Sequence, residues 1–367
     1  MSTRWRTCLV VIARNEAAHI GRLLDSVRPW LDDMLVLDTG STDDTAVRAA
    51  QAGARVAHAP WPDDFAQARN TALDLANADW HLVLDADEWL ISGGEALEAL
   101  RQTAPDFVGT VALEDHFDDG VAHTRLSRLL PGDVRYAGRI HEQPVHQRPV
   151  YAVPLHIGHD GYLSARLRDK AGRNRRLLEA AIADQPASAY LWYQLGKDCS
   201  VYNNYAEAED AFANCAGLLP SDAWPMCNAE DGAAGAHPAP ATAPAWWPDL
   251  VARRLFGLKR LGRHADGVVF ADGQLAICES SPDVFFALGD LLLDWAAEDP
   301  GQADVLLPMM EDAWRRCLLL GEQPDQPGAV AGRGSYLAAH NLALVLEGTG
   351  RAEEAQALRE QFPAPRS

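Results

Sequence analysis

The chain has 367 residues, room for at least two domains at about 100–200 residues each. Hydrophobic residues make up 48% and charged residues 23%, so a sizeable core can be buried. The 52 Asp+Glu against 32 Lys+Arg give a net charge of −20, shared evenly by residues 1–165 and 166–367. That balance argues against a general nucleic-acid or anionic-membrane binder, which needs excess cations to meet phosphates.

The first apolar run meets Arg14-Asn15-Glu16 after six positions, too soon for a secretory leader or for a span of about 20 apolar residues. Up to residue 160 the chain then alternates between two periodicities. Short apolar runs at Cys8–Ala13, Met34–Asp38, Arg55–Ala57 and His81–Asp85 read as strands buried on both faces. Between them, Ile20, Leu23, Leu24 and Val27 share one helical face, and Phe65, Ala68, Ala72, Leu73 and Ala76 another. This alternation predicts an α/β domain over 1–165, a parallel sheet with helices on both sides. Runs at Thr110–Leu113, Arg125–Leu130 and Val153–Ile157 predict a mixed, partly antiparallel extension of that sheet.

Residues 166–367 read as an all-α domain. Trp192, Leu195, Gly196, Ala208, Phe212 and Pro220 fall at the offsets of the tetratricopeptide signature. A second trace is Leu342-Ala343, Gly350 and Ala355, and a third is Leu288-Gly289, at spacings that make the array irregular. Residues 228–248, rich in Ala, Pro and Gly, read as a loop or linker, with Trp246-Trp247 anchoring it to the body. Trp192, Phe212 and Trp314 read as repeat-core residues. Cys8, Cys199, Cys215, Cys227, Cys278 and Cys317 are scattered without a C-x-x-C pair, which predicts small apolar residues in a reducing compartment, the cytoplasm.

Chemistry concentrates where the predicted strands end. Leu84-Asp85-Ala86-Asp87-Glu88 runs an apolar strand into three carboxylates. Because a strand alternates sides every residue, Asp85 and Asp87 project to one side, where a divalent cation carried by a diphosphate would offset their repulsion. The bland alternative is a solvated strand end capping the next helix. Ala13-Arg14-Asn15-Glu16 and Asp38-Thr39-Gly40-Ser41-Thr42-Asp43 end two further strands. Asp38 and Glu16 suit the N–H of a pyrimidine or ribose hydroxyls, Gly40 permits a tight turn, and Ser41 or Asp43 reads first as a helix cap. On the helix before the acidic string, Arg69 is either a phosphate ligand or a surface ion pair, and Asn70 beside it is a candidate contact to the nucleotide sugar.

ARNE, LDTGSTDDT, FAQARNTAL and LDADE, in this order and spacing, resemble the family 2 glycosyltransferases of GT-A fold. The closer likeness is to a bacterial branch of peptide S- and O-glycosyltransferases and lipopolysaccharide-core glucosyltransferases. The resemblance implies inverting transfer of a hexose from a nucleotide-diphosphate sugar, a UDP-hexose, with Mn2+ or Mg2+. It would place Glu16 and Asp38 on the nucleoside, Asp85 on the ribose or a metal water, and Asp87 on the metal. Arg139-Ile140-His141-Glu142 resembles the IHE segment of the same branch, which makes Glu142 the candidate base with His141 orienting it or contacting phosphate; a turn acid paired with Arg139 is the alternative. Glu114-Asp115 is the reserve pair. His159, better placed than His156, would complete the metal or diphosphate shell.

A peptide or protein acceptor is favoured over a lipopolysaccharide-core glycan, because solenoid repeats form extended surfaces for peptides; the same helices could pair two copies of the chain. A non-catalytic repeat scaffold is disfavoured by the intact acidic set. A nucleotidyltransferase is disfavoured because Arg14-Asn15-Glu16 offers no glycine run.

Overall fold

The computed structural model describes residues 4–117, 120–160, 172–219 and 243–365. Gly161, Tyr162, Pro220, Cys227 and the linker as far as residue 242 lie outside these. The chain divides into two compact units, Met1–Asp184 and Gln185–Ser367.

In the first unit, β1 (Thr7–Ala13), α1 (Ile20–Val27), β2 (Asp33–Asp38), α2 (Thr45–Gln51), β3 (Arg55–His58), α3 (Phe65–Ala76) and β4 (Trp80–Val83) follow the alternation of the sequence. β5 (Glu88–Ser92), α4 (Gly94–Ala99), β6 (Val108–Phe117) and β7 (Gly120–Pro131) come next. β8 (Arg135–Ala137), β9 (Gln143–Val145), β10 (Val150–His159) and α5 (Arg173–Asp184) complete it. The main sheet has the order β3-β2-β1-β4-β7-β6-β10-β5, while β8 and β9 form a separate antiparallel pair. β1 pairs in parallel with both β2 and β4, so their carboxyl ends lie side by side. β7 is antiparallel to β4 and β6, which makes the sheet mixed as the sequence implies.

Side-chain alternation divides the core. Leu9, Val11 and Val36 join the cluster that includes Ile20, Leu23, Leu24 and Val27 of α1, whereas Cys8, Val10, Leu35 and Leu37 join Ala66, Ala72, Leu73 and Ala76 of α3. α3 starts where the Asp64 carboxylate accepts from Gln67 N at 2.8 Å, and ends at Asn77 in the left-handed region.

One detail of topology builds the site. β5 lies four positions from β4, about 19 Å at the usual spacing of neighbouring strands. The five residues from Val83 to Glu88 reach about 17–18 Å when fully extended. A flat sheet could not be bridged, so the sheet curls, bringing the end of β4 toward the start of β5, where Glu88 pairs with His159 at the end of β10. β4 therefore stops at Val83, and Asp85 to Asp87 form a turn instead of continuing the strand.

The second unit is helical: α6 (Ala189–Val201), α7 (Tyr205–Gly217), α8 (Trp247–Arg260), α9 (His264–Asp272), α10 (Pro282–Glu298), α11 (Ala303–Leu320), α12 (Tyr336–Gly348) and α13 (Ala352–Gln361). A Cβ on Gly196 would stand 2.4 Å from the Phe212 ring, and one on Gly289 2.5 Å from Trp314 Nε1. The small residues of the repeat signature thus let paired helices touch. Ala343 and Ala355 are both fully buried in the last pair. Trp246 stacks on Tyr193 at 4.5 Å, and buried Trp247 donates to Gln274 Oε1 at 2.9 Å. Both indoles are structural anchors.

Candidate active site

The loops after β1 and β2 are tied to each other. Ala13 O accepts from Thr39 N at 2.9 Å. Asn15, with φ of 58°, donates its N–H to Ser41 Oγ and accepts Thr42 N at 2.8 Å. Asp43 accepts from Thr45 N and Ala17 N, while Asp44, at the N-cap of α2, makes no side-chain cap bond. Glu16 N donates to Thr45 Oγ1, and its carboxylate meets His19 Nδ1 at 3.0 Å. Arg14 is exposed at the edge of this loop pair.

Asp38 is buried, and its Oδ1 accepts from Gly40 N and Ser41 N, both at 2.9 Å. Burial opposes its ionisation, but the hydrogen bonds from Ser41 and Gly40 outweigh it and hold the carboxyl below its ordinary range. Among the described residues, Asp38 Oδ2 has no hydrogen-bond partner. Gly40 has φ of 106° and open space around it, so its backbone conformation, not crowding, calls for glycine.

Around residues 84–87 the charges sort into two groups. In the first, Asp85 Oδ1 accepts from Arg69 Nη2 at 2.6 Å and Oδ2 from Arg128 Nη2 at 2.8 Å. Arg69 Nε also donates to Glu142 Oε1, and Arg128 Nη2 to Glu88 Oε1 at 2.5 Å. Asp85 N donates to Glu88 Oε2 at 2.9 Å and Glu88 N to Asp85 O at 3.0 Å, closing the turn around buried Ala86. Desolvation works against the Asp85 carboxylate, yet Arg69 and Arg128 hold it well below the usual range. Glu88 is 1% exposed, and burial pushes it up to about 7 against the pull of Arg128.

In the second group, His159 Nδ1 lies 2.6 Å from Asp115 Oδ1, and its Nε2 3.7 Å from Asp87 Oδ2. Burial would favour the neutral ring, but Asp115 and Asp87 outweigh it and lift His159 to about 10. Asp87 and His159 fit a divalent cation: one carboxylate and one imidazole face each other, with a second carboxylate orienting the ring from behind. Water and substrate oxygens would fill the other positions, as is usual for Mg2+ or Mn2+.

Three expectations change. Asp85 and Asp87 do not project together, because the turn sends Asp85 to two guanidiniums and Asp87 to His159; of the expected ligands Asp85, Asp87 and His159, Asp85 is committed elsewhere. Asn70, expected at the nucleotide sugar, bonds the backbone of Tyr136 through Nδ2 to O at 2.9 Å and N to Oδ1 at 2.8 Å, which fastens β8 to α3. Glu142 pairs with Arg69, while Arg139 pairs with Asp184. His141 precedes Glu142 with φ of 52°, and His156 is exposed. Sequence reasoning missed Arg128 and Glu88; an arginine at an inward-facing position of the run Arg125–Leu130 was the available signal.

The first unit is thus a GT-A-type α/β domain, with acidic loops gathered at the carboxyl ends of its parallel strands. The family model for glycosyl transferase family 2 matches residues 8–135. A TPR repeat-containing protein of Synechococcus elongatus is 39% identical over 207 residues, 51% of this chain and 51% of its own length. The SPbeta prophage-derived glycosyltransferase SunS of Bacillus subtilis is 27% identical over 217 residues, 56% of this chain and 51% of its own. The chain spans about half the length of these curated relatives. Glucosyl-3-phosphoglycerate synthase of Mycobacterium tuberculosis, solved with Mn2+ and UDP, is 27% identical over 31% of this chain and 44% of that one; its TM-score of 0.25 is too low to bear on the fold. Residues 8–135 thus match the family 2 glycosyltransferase model, and the unit that follows is helical, with small residues at the contacts of paired helices. No helix among the described residues is long and apolar enough to cross a membrane.

Proposed function

We propose that the chain is an inverting glycosyltransferase that moves a hexose from a nucleotide-diphosphate sugar, UDP-hexose first among candidates, to a peptide or protein side chain. The observation that carries the reading is the convergence of Asp87, His159 and Asp115 beside the Arg69–Asp85–Arg128 cluster, at strand ends already joined to the Asp38 loop. Asp38 Oδ2, buried and without a described partner, suits an N–H of the base, and Gly40 and Ser41 keep that carboxylate charged and aimed. Glu16, Ala13, Arg14 and Asn15 shape the opposite lip of the nucleoside site. Asp87 and His159 would hold Mn2+ or Mg2+, which when bound offsets charge on the departing diphosphate. Arg69 adds a fixed positive charge on the same side.

In the transfer, the acceptor oxygen or sulfur attacks the anomeric carbon. The bond from that carbon to the diphosphate breaks with its electron pair, and the acceptor proton passes to Glu142. The helical unit is proposed to recognise the acceptor, since paired helices with close-packed small residues build the extended surface that peptide binding uses.

The test offers the purified protein a panel of nucleotide sugars with Mn2+ and measures released nucleoside diphosphate. Release with one sugar, abolished by chelation and reduced at least 100-fold in Glu142→Gln, is the expected result. Wild-type turnover in Glu142→Gln would remove Glu142 as the base and direct attention to Asp115.

A further inference from the structure

Arg69 joins the two sides of the site through one guanidinium. Its Nη2 holds Asp85, beside the diphosphate side, and its Nε holds Glu142, the residue assigned to the acceptor side. The third nitrogen, Nη1, is buried and has no hydrogen-bond partner among the described residues; the Tyr136 ring lies 5.5 Å from the guanidinium carbon, and its hydroxyl is also buried without a described partner. A buried guanidinium N–H left unmade is costly, so this nitrogen is primed for an acceptor atom that the described residues do not supply. Access is one-sided. The Arg69 and Glu142 side chains are 6% and 9% exposed, whereas that of Asp85 is 36% exposed.

From this geometry we infer that Arg69 couples donor to acceptor: it restrains Glu142 while the donor is absent, and the incoming diphosphate takes over the guanidinium and releases Glu142. The inference rests on the glycosyltransferase reading and deepens it, because it makes arrival of the donor the event that frees the base. Two guanidiniums, Arg69 and Arg128, already face the carboxylates of Asp85, Glu142 and Glu88. A diphosphate arriving by Asp85 competes with these three carboxylates for the two guanidiniums, and one carboxylate must give way. Asp85 cannot easily move, being held by both arginines and by the turn hydrogen bonds to Glu88. Glu142 can. It ends the five-residue connection between β8 and β9, where Gly138 has φ of 104° and His141, a residue with a side chain, has φ of 52°. Among the described residues, its one side-chain tie is Arg69. Arg69 is a positioning residue toward Glu142 and a ligand toward the diphosphate.

The experiment measures binding of UDP, GDP and dTDP, each with Mn2+, by calorimetry to the full chain, to Glu142→Gln, to Arg69→Lys and to the double variant. Glu142→Gln removes the competing anion, so the nucleotide that binds the wild type should bind about three- to tenfold tighter. In the Arg69→Lys background the same change should shift affinity less than twofold, because the fork that linked the two sites is gone. An equal gain in both backgrounds means bulk electrostatics and overturns the coupling, as does no gain in either. Hydrogen exchange of residues 138–145 in the wild type provides a second readout that needs no arginine variant: nucleotide with Mn2+ should accelerate it, and Glu142→Gln should be fast without ligand. Slower or unchanged exchange on binding overturns the coupling alone. A protein that binds none of the three nucleotides overturns the donor reading and the coupling together.

Discussion

Replacing Arg128 with methionine tests whether the buried charges are arranged as described. The side chain keeps most of its length and loses both contacts, Nη2 to Asp85 Oδ2 at 2.8 Å and to Glu88 Oε1 at 2.5 Å. Asp85 retains Arg69, but Glu88, 1% exposed, keeps only the Asp85 N–H. Stranding one partner of a buried pair costs about 3–5 kcal/mol, here toward the lower end because the charge on His159 still acts on Glu88. Glu88 can escape by taking a proton. Burial already lifts it to about 7, and Arg128 is the group opposing that rise, so the substitution lifts it further. An acid raised in the folded state contributes stability that is complete below its unfolded value of 4.5 and is lost as pH climbs through the folded value. In the variant that loss extends to higher pH. The destabilisation should therefore be small at pH 5.5, where Glu88 is largely neutral in both proteins, and approach at most about 2 kcal/mol at pH 8.5, because linkage allows about 1.4 kcal/mol for each pH unit above 7. Denaturant titration read through hydrogen exchange of β1 and β4 reports on this unit alone. A loss below about 1 kcal/mol at pH 8.5, a loss independent of pH, or no recovery when Glu88→Gln is added would refute the reasoning.

Asp87→Asn should weaken binding of nucleoside diphosphate with Mn2+ at least tenfold, about 1.4 kcal/mol, in the same calorimetric assay; unchanged binding would take Asp87 out of the cation site. His159, lifted to about 10, gives the metal-free protein stability that is whole below 6.5 and disappears as pH rises through 10. Mn2+ has to displace that proton, so its affinity should rise with pH in this window with release of one proton, measured by calorimetry in buffers of different ionisation enthalpy. A pH-independent affinity would exclude His159 as a ligand. Gly196→Ala should destabilise the helical unit by about 1–3 kcal/mol, since the new methyl meets the Phe212 ring at 2.4 Å. Gly217→Ala, with nothing within 4 Å, should be neutral or stabilising in the same thermal melt.

Much of the architecture was legible because periodicity is local. The apolar run Cys8–Ala13 and the spacing of Ile20, Leu23, Leu24 and Val27 need no knowledge of distant residues to be read as strand and helix. Gly196 and Phe212, sixteen positions apart, belong to one helical hairpin and were legible for the same reason. Candidate site residues were legible as residue types at strand ends, but their partners were not. Asn70 looked like a ligand and is spent on the Tyr136 backbone, which only the docking of β8 on α3 could reveal.

By itself the sequence determined which segments are buried, where the polar loops begin, and that the two halves differ in kind, since these follow from hydrophobic spacing within a few turns or strands. The tertiary structure alone decided how the charges divide. The far-edge position of β5 makes the chain leave β4 at Val83 and turn before pairing with β10, and that turn delivers Asp85 to Arg69 and Arg128 and Asp87 to His159. A one-dimensional pattern cannot hold this information, because the energy of a buried charge depends on which opposite charge reaches it within a few ångströms.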